Sequence, residues 1–248
     1  MEFLEENVRI PFEQKELDGV LTVPADVSAG QCTAVVLTHG AGGDMRTKQL
    51  ESLAHALARA GILCLRFTCR PPNLQYRIRA YSAVVEYLKT HERYAPNSLF
   101  LGGRSMGART AVAVCKHVCD REKDAVQGVL CLSFPLHVPG KPQTYVERSH
   151  GLRALSQTSV LFVSGTADNM CQQVNTYETF AIGLGFKLES STTCYACHEK
   201  PFCGSLGKGC KPWTHSTWQN RRISTGGSQF TDYCMGTTTQ MKCIFINR

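Results

Sequence analysis

The sequence predicts an α/β fold with a mainly parallel, doubly wound sheet, and three observations lead to that prediction. Short apolar runs alternate along the 248 residues with segments whose apolar residues recur at helical spacing. Several runs are apolar at successive positions, which is typical of strands that are buried on both faces. Glycine-rich loops follow two of these runs directly. Alternation of strands and helices in this way gives parallel strands with helices on both faces of the sheet.

The first predicted elements are a hairpin and one strand followed by a helix. Residues 8–12 and 17–23 are rich in β-forming residues and are separated by a polar segment, which indicates two antiparallel strands. Residues 34–38 form a continuous apolar run and are predicted as the first parallel strand. In residues 50–60 apolar side chains recur at spacings of three and four, and Gly61 follows as a stop signal, so a helix is expected there.

The pattern of strand and helix repeats to about residue 184. Residues 76–88 are predicted as a helix. Its apolar face carries Ile78, Tyr81, Val84, Val85 and Leu88. The other predictions are strands at 62–67, 98–101, 126–134 and 160–164, and helices at 110–118 and 172–184. Functional sites on such a sheet lie at the carboxyl ends of its strands.

One strand of this set leads into the sequence Gly-Arg-Ser-Met-Gly at 103–107. A serine between two glycines, with a strand before it and a helix after it, is typical of a nucleophile elbow. Gly103 and Gly107 leave space for the sharp turn, which exposes Ser105 Oγ and points the Met106 N–H toward a developing oxyanion. The five-residue motif alone is a weak signal, and a glycine-rich turn without catalytic function is the alternative.

Two more loops are expected at the same edge of the sheet. The glycine-rich loop 39–44 follows a strand and lacks the spacing of the common nucleotide-binding loops, which favours an oxyanion loop in which His39 has a packing role. Asp168 follows the strand 160–164, and the order serine, aspartate, histidine is the one used on this type of fold. Asp168 is therefore the candidate acid, and a helix cap is the alternative role.

Four segments of the sequence together resemble a known family. They read LTHGAGGDM, GILCLRFTC, FLGGRSMGAR and VLFVSGTADNMC. They are similar to α/β-hydrolase-like domains related to the dienelactone hydrolases, and the resemblance covers about residues 8–171. It implies the α/β-hydrolase fold, a Ser105 nucleophile, an Asp168 acid, and oxyanion donors at Ala41 and Met106.

The resemblance implies an activity and also leaves an alternative. The activity is that of a serine hydrolase of the esterase type acting on a small ester-like molecule, and we predict no metal or other cofactor. A relative of the domain serves as a subunit of a chromatin-modifying assembly. A non-catalytic role in interaction or scaffolding, with a protein as partner, is therefore the alternative.

The resemblance ends near residue 173, before the histidine that would complete the triad. In residues 187–248, Leu, Ile, Val and Phe make up 8 of 62 residues and Ser and Thr make up 15, a composition that does not easily bury a core. We therefore expect a hydrolase-like domain at 1–186 and a disordered, Cys/Ser/Thr-rich tail at 187–248. His198 lies 30 residues after Asp168, close to the separation in the family, and is the candidate base.

Two other interpretations of the tail are open. His215 is a second, more distant candidate for the base. Cys194, Cys197 and His198 begin a tract of cysteine and histidine that has the residue types of a structural zinc site. Only its first cysteine pair has ligand spacing, so the prediction remains that no metal is bound.

Charge and composition argue against several classes of protein. The formal charge is +7, but the basic residues are scattered, which disfavours nucleic acid as a partner. No segment approaches the ~20 apolar residues of a membrane span, and the acidic start does not resemble a secretory leader. An intracellular protein, cytoplasmic or nuclear, is expected, with most of its 13 cysteines reduced. The cysteines predicted in the core are Cys32, Cys64, Cys115 and Cys131.

Overall fold

The computed structural model describes residues 3–27, 31–155, 158–165 and 168–171, together with the backbone of three strands between residues 220 and 247. In this part of the chain one sheet contains ten strands. The strands are β1 (Phe3–Phe12), β2 (Lys15–Pro24), β3 (Thr33–Thr38), β4 (Leu63–Phe67), β5 (Ser98–Arg104), β6 (Gly128–Leu132), β7 (Ser159–Gly165), β8 (Asn220–Thr225), β9 (Ser228–Met235) and β10 (Met241–Asn247). The helices are α1 (Lys48–Arg59), α2 (Leu74–Lys89), α3 (Met106–Cys119) and α4 (Tyr145–Arg153), with a 3₁₀ turn at Pro142–Thr144.

The centre of the sheet is parallel and its two sides are antiparallel. The strand order is β1-β2-β4-β3-β5-β6-β7-β10-β9-β8. Strands β3 to β7 run parallel to one another, whereas β1 and β2 on one side and β8 to β10 on the other pair antiparallel. The order reverses at β3, because β4 lies on one side of it and β5 on the other. The connections that follow β3 and β5 therefore lead to opposite sides of the sheet, and folds of this type bind ligands at such a point.

Helices cover both faces of the parallel strands, as the prediction of a doubly wound sheet requires. Helix α1 packs on one face against Val35, Leu37 and Cys64. Helices α2 and α3 pack on the other face against a larger core that includes Val36 and Leu101. Neighbouring residues of β3 thus face opposite helices, which explains the continuous apolar run in its sequence. The four cysteines predicted in the core, Cys32, Cys64, Cys115 and Cys131, are all buried.

Helix α2 begins two residues after a pair of prolines, and its buried face contains the predicted residues together with two others. The Asn73 side chain caps the helix by accepting a hydrogen bond of 2.9 Å from the Tyr76 N–H. The predicted face is confirmed, since four of its residues are buried and Ile78 packs against the same core. Arg77 and Ala80 also face the core. The prediction missed Arg77 because it followed apolar residues alone. A buried arginine has the same spacing to Tyr81, Val84 and Leu88 as an apolar residue would.

Two further differences concern the segments on either side of β7. No helix was predicted between β6 and β7, yet α4 lies there and packs against α3, with the Gly151 backbone next to Val112. The helix predicted at 172–184 lies outside the described residues.

Strand β10 lies beside β7 and runs antiparallel to it. Residues Met241 to Ile246 pair with Gly165 to Val160, and β9 and β8 continue the sheet. The low content of core-forming residues led us to predict low order in the whole tail, but strand pairing uses backbone groups that every residue except proline carries. For the other residues of 187–248, low order stays a prediction, because they lie outside the described part.

No helix within the described ranges is both long enough and apolar enough to cross a lipid bilayer.

Candidate functional site

Ser105 lies between the last residue of β5 and the first residue of α3, in a backbone conformation that serine rarely adopts. Its φ is 54° and its ψ is −115°. A residue other than glycine in such a conformation costs about 1–3 kcal/mol and is typical of functional sites. Neighbouring backbone holds Ser105 in place, since its N–H donates to Leu132 O (2.8 Å) and its C=O accepts from Ala108 N (3.0 Å). The sequence prediction of a sharp turn at this serine agrees with the structure.

The two glycines that flank Ser105 are required by close backbone contacts. A Cβ atom on Gly103 would lie 2.6 Å from Gly107 C and 2.7 Å from Thr38 O. A Cβ atom on Gly107 would lie 2.5 Å from Thr38 O and 2.8 Å from His39 O. Both glycines therefore let the elbow pack directly against the end of β3. Met106 is the first residue of α3, where backbone N–H groups have no carbonyl partner within the helix.

The loop after β3 lies against Ser105. A Cβ atom on Gly40 would lie 3.2 Å from Ser105 Cβ and 3.7 Å from Arg104 Nη1. Residues 40–43 form a turn in which Gly43 N–H donates to Gly40 O (3.4 Å) and Gly42 has a φ of 73°. Ala41, expected to supply an oxyanion donor, lies at the exposed corner of this turn. The structure thus brings Ala41 and Met106 to the same edge of the sheet as Ser105.

His39 is buried, and its ring bonds one backbone group in this loop and one in the segment after β4. Its Nε2 accepts from Cys69 N–H (2.9 Å), and the proton on Nδ1 is donated to Gly40 O (2.6 Å). These two partners require the neutral tautomer with the proton on Nδ1. Burial lowers the pKa of His39, and the nearby Arg77 guanidinium lowers it further. His39 therefore has the packing role expected of it.

Arg77 is a residue of this region that sequence reasoning missed. It is 1% exposed and donates only to backbone carbonyls in the bonds described. Its Nε donates to Pro71 O (2.8 Å), its Nη1 to His39 O (2.9 Å) and its Nη2 to Gly40 O (3.5 Å). The signal in the sequence was its position, one turn before Tyr81 on the core face of α2.

Asp168 follows β7, as predicted, and closes a tight turn. Its Oδ1 accepts from Met170 N–H (2.9 Å), and its own N–H donates to Gly165 O (3.1 Å). The first of these bonds is the capping pattern considered as the alternative role, but a carboxylate has a second oxygen that can bond elsewhere. Strand β6 alone separates β5 from β7, so their backbones lie about 10 Å apart.

The candidate base, His198, lies outside the described residues. His215 and the tract that begins at Cys194 also lie outside them. His137 was not singled out in the sequence, yet it is buried at this edge, five residues after β6 ends. Its backbone N–H donates to Met170 O (3.2 Å), which ties it to the turn of Asp168.

One group of possible metal ligands occurs within the described residues, and its chemistry does not favour a metal. Glu5, Glu51 and His55 each offer a ligand atom within 4.8 Å of the others. The buried guanidinium of Arg66, however, donates to Glu5 and lies 3.8 Å from Glu51. Because a cation already balances these carboxylates, we assign the group as an ion-pair network.

Solved structures with similar folds are esterases and a dienelactone hydrolase. A cold-adapted esterase from an Arctic intertidal metagenomic library has a TM-score of 0.57 at 16% identity, over 74% of this chain and 80% of that one. An esterase from Pyrococcus furiosus has a TM-score of 0.56 at 15% identity, over 73% and 78%. Dienelactone hydrolase from Anabaena variabilis has a TM-score of 0.53 at 14% identity, over 74% and 96%. At such identities these likenesses establish the fold.

Another matched protein is covered only in part by this chain. The chain spans 57% of Est1E from Butyrivibrio proteoclasticus, at 19% identity over 60% of this chain and with a TM-score of 0.48. The sequence profile described as Alpha/beta hydrolase domain matches residues 31–189, which is more than half of the chain. That range begins just before β3 and includes every loop of the candidate site, so the chain belongs to the family of alpha/beta hydrolase domains.

Proposed function

We propose that this protein is a serine hydrolase of the esterase type with Ser105 as its nucleophile. The observation that supports this most is the backbone of Ser105, which has a positive φ at a turn that only flanking glycines permit. Ser105 differs from Ser133, which also has a positive φ at this edge, because Ser105 lies between two close-packed glycines and directly before a helix. Membership of the alpha/beta hydrolase family and the esterase folds among similar structures agree with this proposal.

In the proposed reaction, Ser105 Oγ attacks the carbonyl carbon of an ester and passes its proton to an imidazole. The carbonyl oxygen becomes an oxyanion that accepts hydrogen bonds from the Ala41 and Met106 N–H groups. The tetrahedral intermediate collapses, and the alcohol leaves with the proton from the imidazole. Water then attacks the acyl-enzyme in the same manner, which releases the acid and restores Ser105.

Asp168 orients the imidazole in this scheme, and His198 is the proposed base. The role of His198 rests on the resemblance to the hydrolase family and on its separation from Asp168. Within the family, we propose a likeness to testis-expressed protein 30, to which the four segments quoted above are similar. His137 is the described histidine against which this assignment has to be tested, since it lies beside the Asp168 turn.

A non-catalytic role in protein interaction is the second candidate, and one observation favours it. The edge of β7 pairs with β10, which runs antiparallel and comes from the end of the chain. Among the described residues, the place beside β7 that a further parallel strand would take is therefore occupied by an antiparallel strand. A chain that lost its base in this way would keep the elbow as a structural remnant.

A fluorophosphonate probe distinguishes the two candidates, because it reacts with an activated serine without requiring the natural substrate. We expect labelling of the wild-type chain and none of Ser105→Ala. Ser133→Ala is the matched control, since Ser133 also has a positive φ at the end of the neighbouring strand. We expect His198→Ala to lose labelling and His137→Ala to retain it. Absence of labelling in the wild-type chain would favour the interaction role.

A further inference from the structure

We propose that Arg77 and His39 are positioning residues that set the direction of the Ala41 N–H. This inference rests on the proposed function, in which that N–H binds the oxyanion. Both side chains hold the carbonyl groups at the start of the loop after β3. Both side chains are buried, since Arg77 is 1% exposed and His39 is 0% exposed.

The Gly40 carbonyl is the atom on which the contacts converge. It accepts from His39 Nδ1 at 2.6 Å, from Gly43 N–H at 3.4 Å and from Arg77 Nη2 at 3.5 Å. The carbonyl before it, His39 O, accepts from Arg77 Nη1 at 2.9 Å. The direction of the Gly40 C=O is therefore restrained from three sides, and two of the donors belong to buried side chains.

The geometry of the peptide bond transmits this restraint to Ala41. A trans peptide is planar, so its C=O and the following N–H point in opposite directions. No peptide bond in the described residues is cis. Because the Gly40 C=O points toward His39 and Arg77, the Ala41 N–H points away from them. Rotation of this one peptide plane would turn the N–H out of the site and present a carbonyl oxygen instead, which would repel an oxyanion.

An arginine suits this position better than a lysine would. Its guanidinium is a planar fork with five donors, and here three of its nitrogens reach the carbonyls of residues 39, 40 and 71. No acidic side chain among the described residues forms an ion pair with Arg77. Burial lowers the pKa of Arg77, but three charge-assisted bonds compensate for its removal from water. Burial of an arginine without an acidic partner costs free energy. We take this cost as a sign that the loop has to be held in one conformation.

The first test measures the loop itself and does not depend on activity. Amide exchange at Gly43 and Cys69 reports the bonds to Gly40 O and His39 Nε2. We expect Arg77→Met to accelerate exchange at both amides by about tenfold or more relative to the wild-type chain. Arg79→Met is the matched control, because Arg79 lies on the same helix, is exposed and pairs with Glu13. If Arg77→Met does not fold, Arg77→Lys serves in its place. Unchanged exchange in a folded variant would overturn the proposal.

The second test measures the oxyanion contact. Sulfur is a weaker hydrogen-bond acceptor than oxygen, so an oriented N–H favours an ester over the matching thionoester. A misplacement of about 1 Å can cost about 100-fold in rate. We expect Arg77→Met to lower kcat for the ester by about 100-fold with little change in KM, and to reduce the ester-to-thionoester ratio, which a loss of stability alone would not move. Arg77→Lys should restore part of this ratio.

The outcomes separate the inference from the proposed function. If the wild-type chain hydrolyses the ester and Arg77→Met keeps the same ester-to-thionoester ratio, the positioning role is wrong although the enzyme is a hydrolase. If the wild-type chain neither hydrolyses esters nor reacts with the probe, the proposed function is wrong. The exchange of Gly43 and Cys69 then still decides whether Arg77 holds the Gly40–Ala41 peptide.

Discussion

At the scale of single residues, the candidate site contains one strained residue, Ser105, and its conformation is fixed by the residues that pack around it. The conformation of Ser105 costs about 1–3 kcal/mol, and hydrogen bonds on both sides of the residue offset that cost. Gly103 and Gly107 have no side chain to occupy the space that the backbone of β3 fills. The elbow is therefore the product of contacts between three segments of the chain.

We predict that Gly103→Ala destabilises the protein by about 2 kcal/mol or more and abolishes labelling of Ser105. The added methyl group would meet backbone atoms of Gly107 and Thr38, which cannot move aside as a flexible side chain does. Gly165→Ala is the control, because its Cβ would have no neighbour within 4 Å among the residues that the structure describes. Chemical denaturation measures both effects on stability. Equal stability of the two variants would mean that the elbow tolerates a wider turn.

We predict that His39 makes stability sensitive to mild acid. Burial lowers its folded-state pKa below the ordinary value of 6.5, so the unfolded chain binds the proton more readily. The stabilisation is complete above about pH 6.5 and is lost as the pH falls through the lowered pKa. His39→Gln, which does not titrate, should show a smaller loss of unfolding free energy between pH 7.5 and 5.5. Parallel pH profiles for the two chains would contradict this.

We predict that Arg104 favours acyl groups that carry a negative charge. Its Nη1 and Ser105 Cβ both lie within 4 Å of one point beside Gly40, and the described residues provide no ion pair for it. For Arg104→Gln, kcat/KM should fall about tenfold for a nitrophenyl succinate, which corresponds to about 1.4 kcal/mol. The value for nitrophenyl acetate should change little. Arg121→Gln, an exposed charge after α3, should leave both unchanged.

At the scale of elements, helix α2 links the edge of the sheet that carries the candidate site to its centre. Its buried face carries Arg77 at one end, under the loop after β3, and Tyr81 one turn later. The Tyr81 hydroxyl lies 2.6 Å from Val36 O and accepts from Gly102 N–H at 2.9 Å. One helix therefore contacts both β3 and β5, which fixes the loop after β3 relative to the elbow.

We predict that Tyr81→Phe lowers the unfolding free energy by about 1 kcal/mol, because it removes a buried hydroxyl that bonds the backbone of β3 and β5. In a chain of this size the midpoint of thermal unfolding should fall by about 2–4 °C. Tyr87→Phe is the control, since Tyr87 lies on the same helix and is only partly buried. A variant as stable as the wild-type chain would show that water or the sheet replaces these bonds.

At the scale of the whole molecule, the end of the chain extends the sheet that the hydrolase domain begins. Strand β10 covers the edge of β7, which would otherwise present unpaired N–H and C=O groups to other chains. The strand also lies three places from β5, which leads into the elbow, and it lies beside β7, which precedes Asp168. The strand before Asp168 therefore pairs with residues more than 70 positions later in the sequence.

We predict that Ile244→Pro releases the last three strands. Each N–H of β10 faces either β7 or β9, so a proline within the strand removes a ladder hydrogen bond. Limited proteolysis should then cleave the variant within residues 187–248 faster than the wild-type chain. Ile244→Val keeps the backbone donor and should behave as the wild type does. Equal cleavage of all three would support low order throughout the tail.

Short-range patterns were sufficient to predict most elements of this fold. The hairpin, the parallel strands, three helices and the elbow all follow from periodicity and from glycine positions, because each depends on neighbours within about ten residues. Ser105, Met106 and Asp168 were located in the same way, at the ends of apolar runs. Ala41 and His198 needed the resemblance to a family, since their residue types carry no local signal of function.

By itself, then, the sequence determined the order of the elements from β1 to α3, the two-sided burial of the parallel strands and the sharp turn at Ser105. Only the tertiary structure decided that Arg77 faces the core, that His39 joins Gly40 to Cys69, and that β10 lies beside β7. The physical reason is the same in each case. A buried cation or a pairing between distant strands is stable only when its partners are already in place, and those partners are 30 to 86 residues away along the chain.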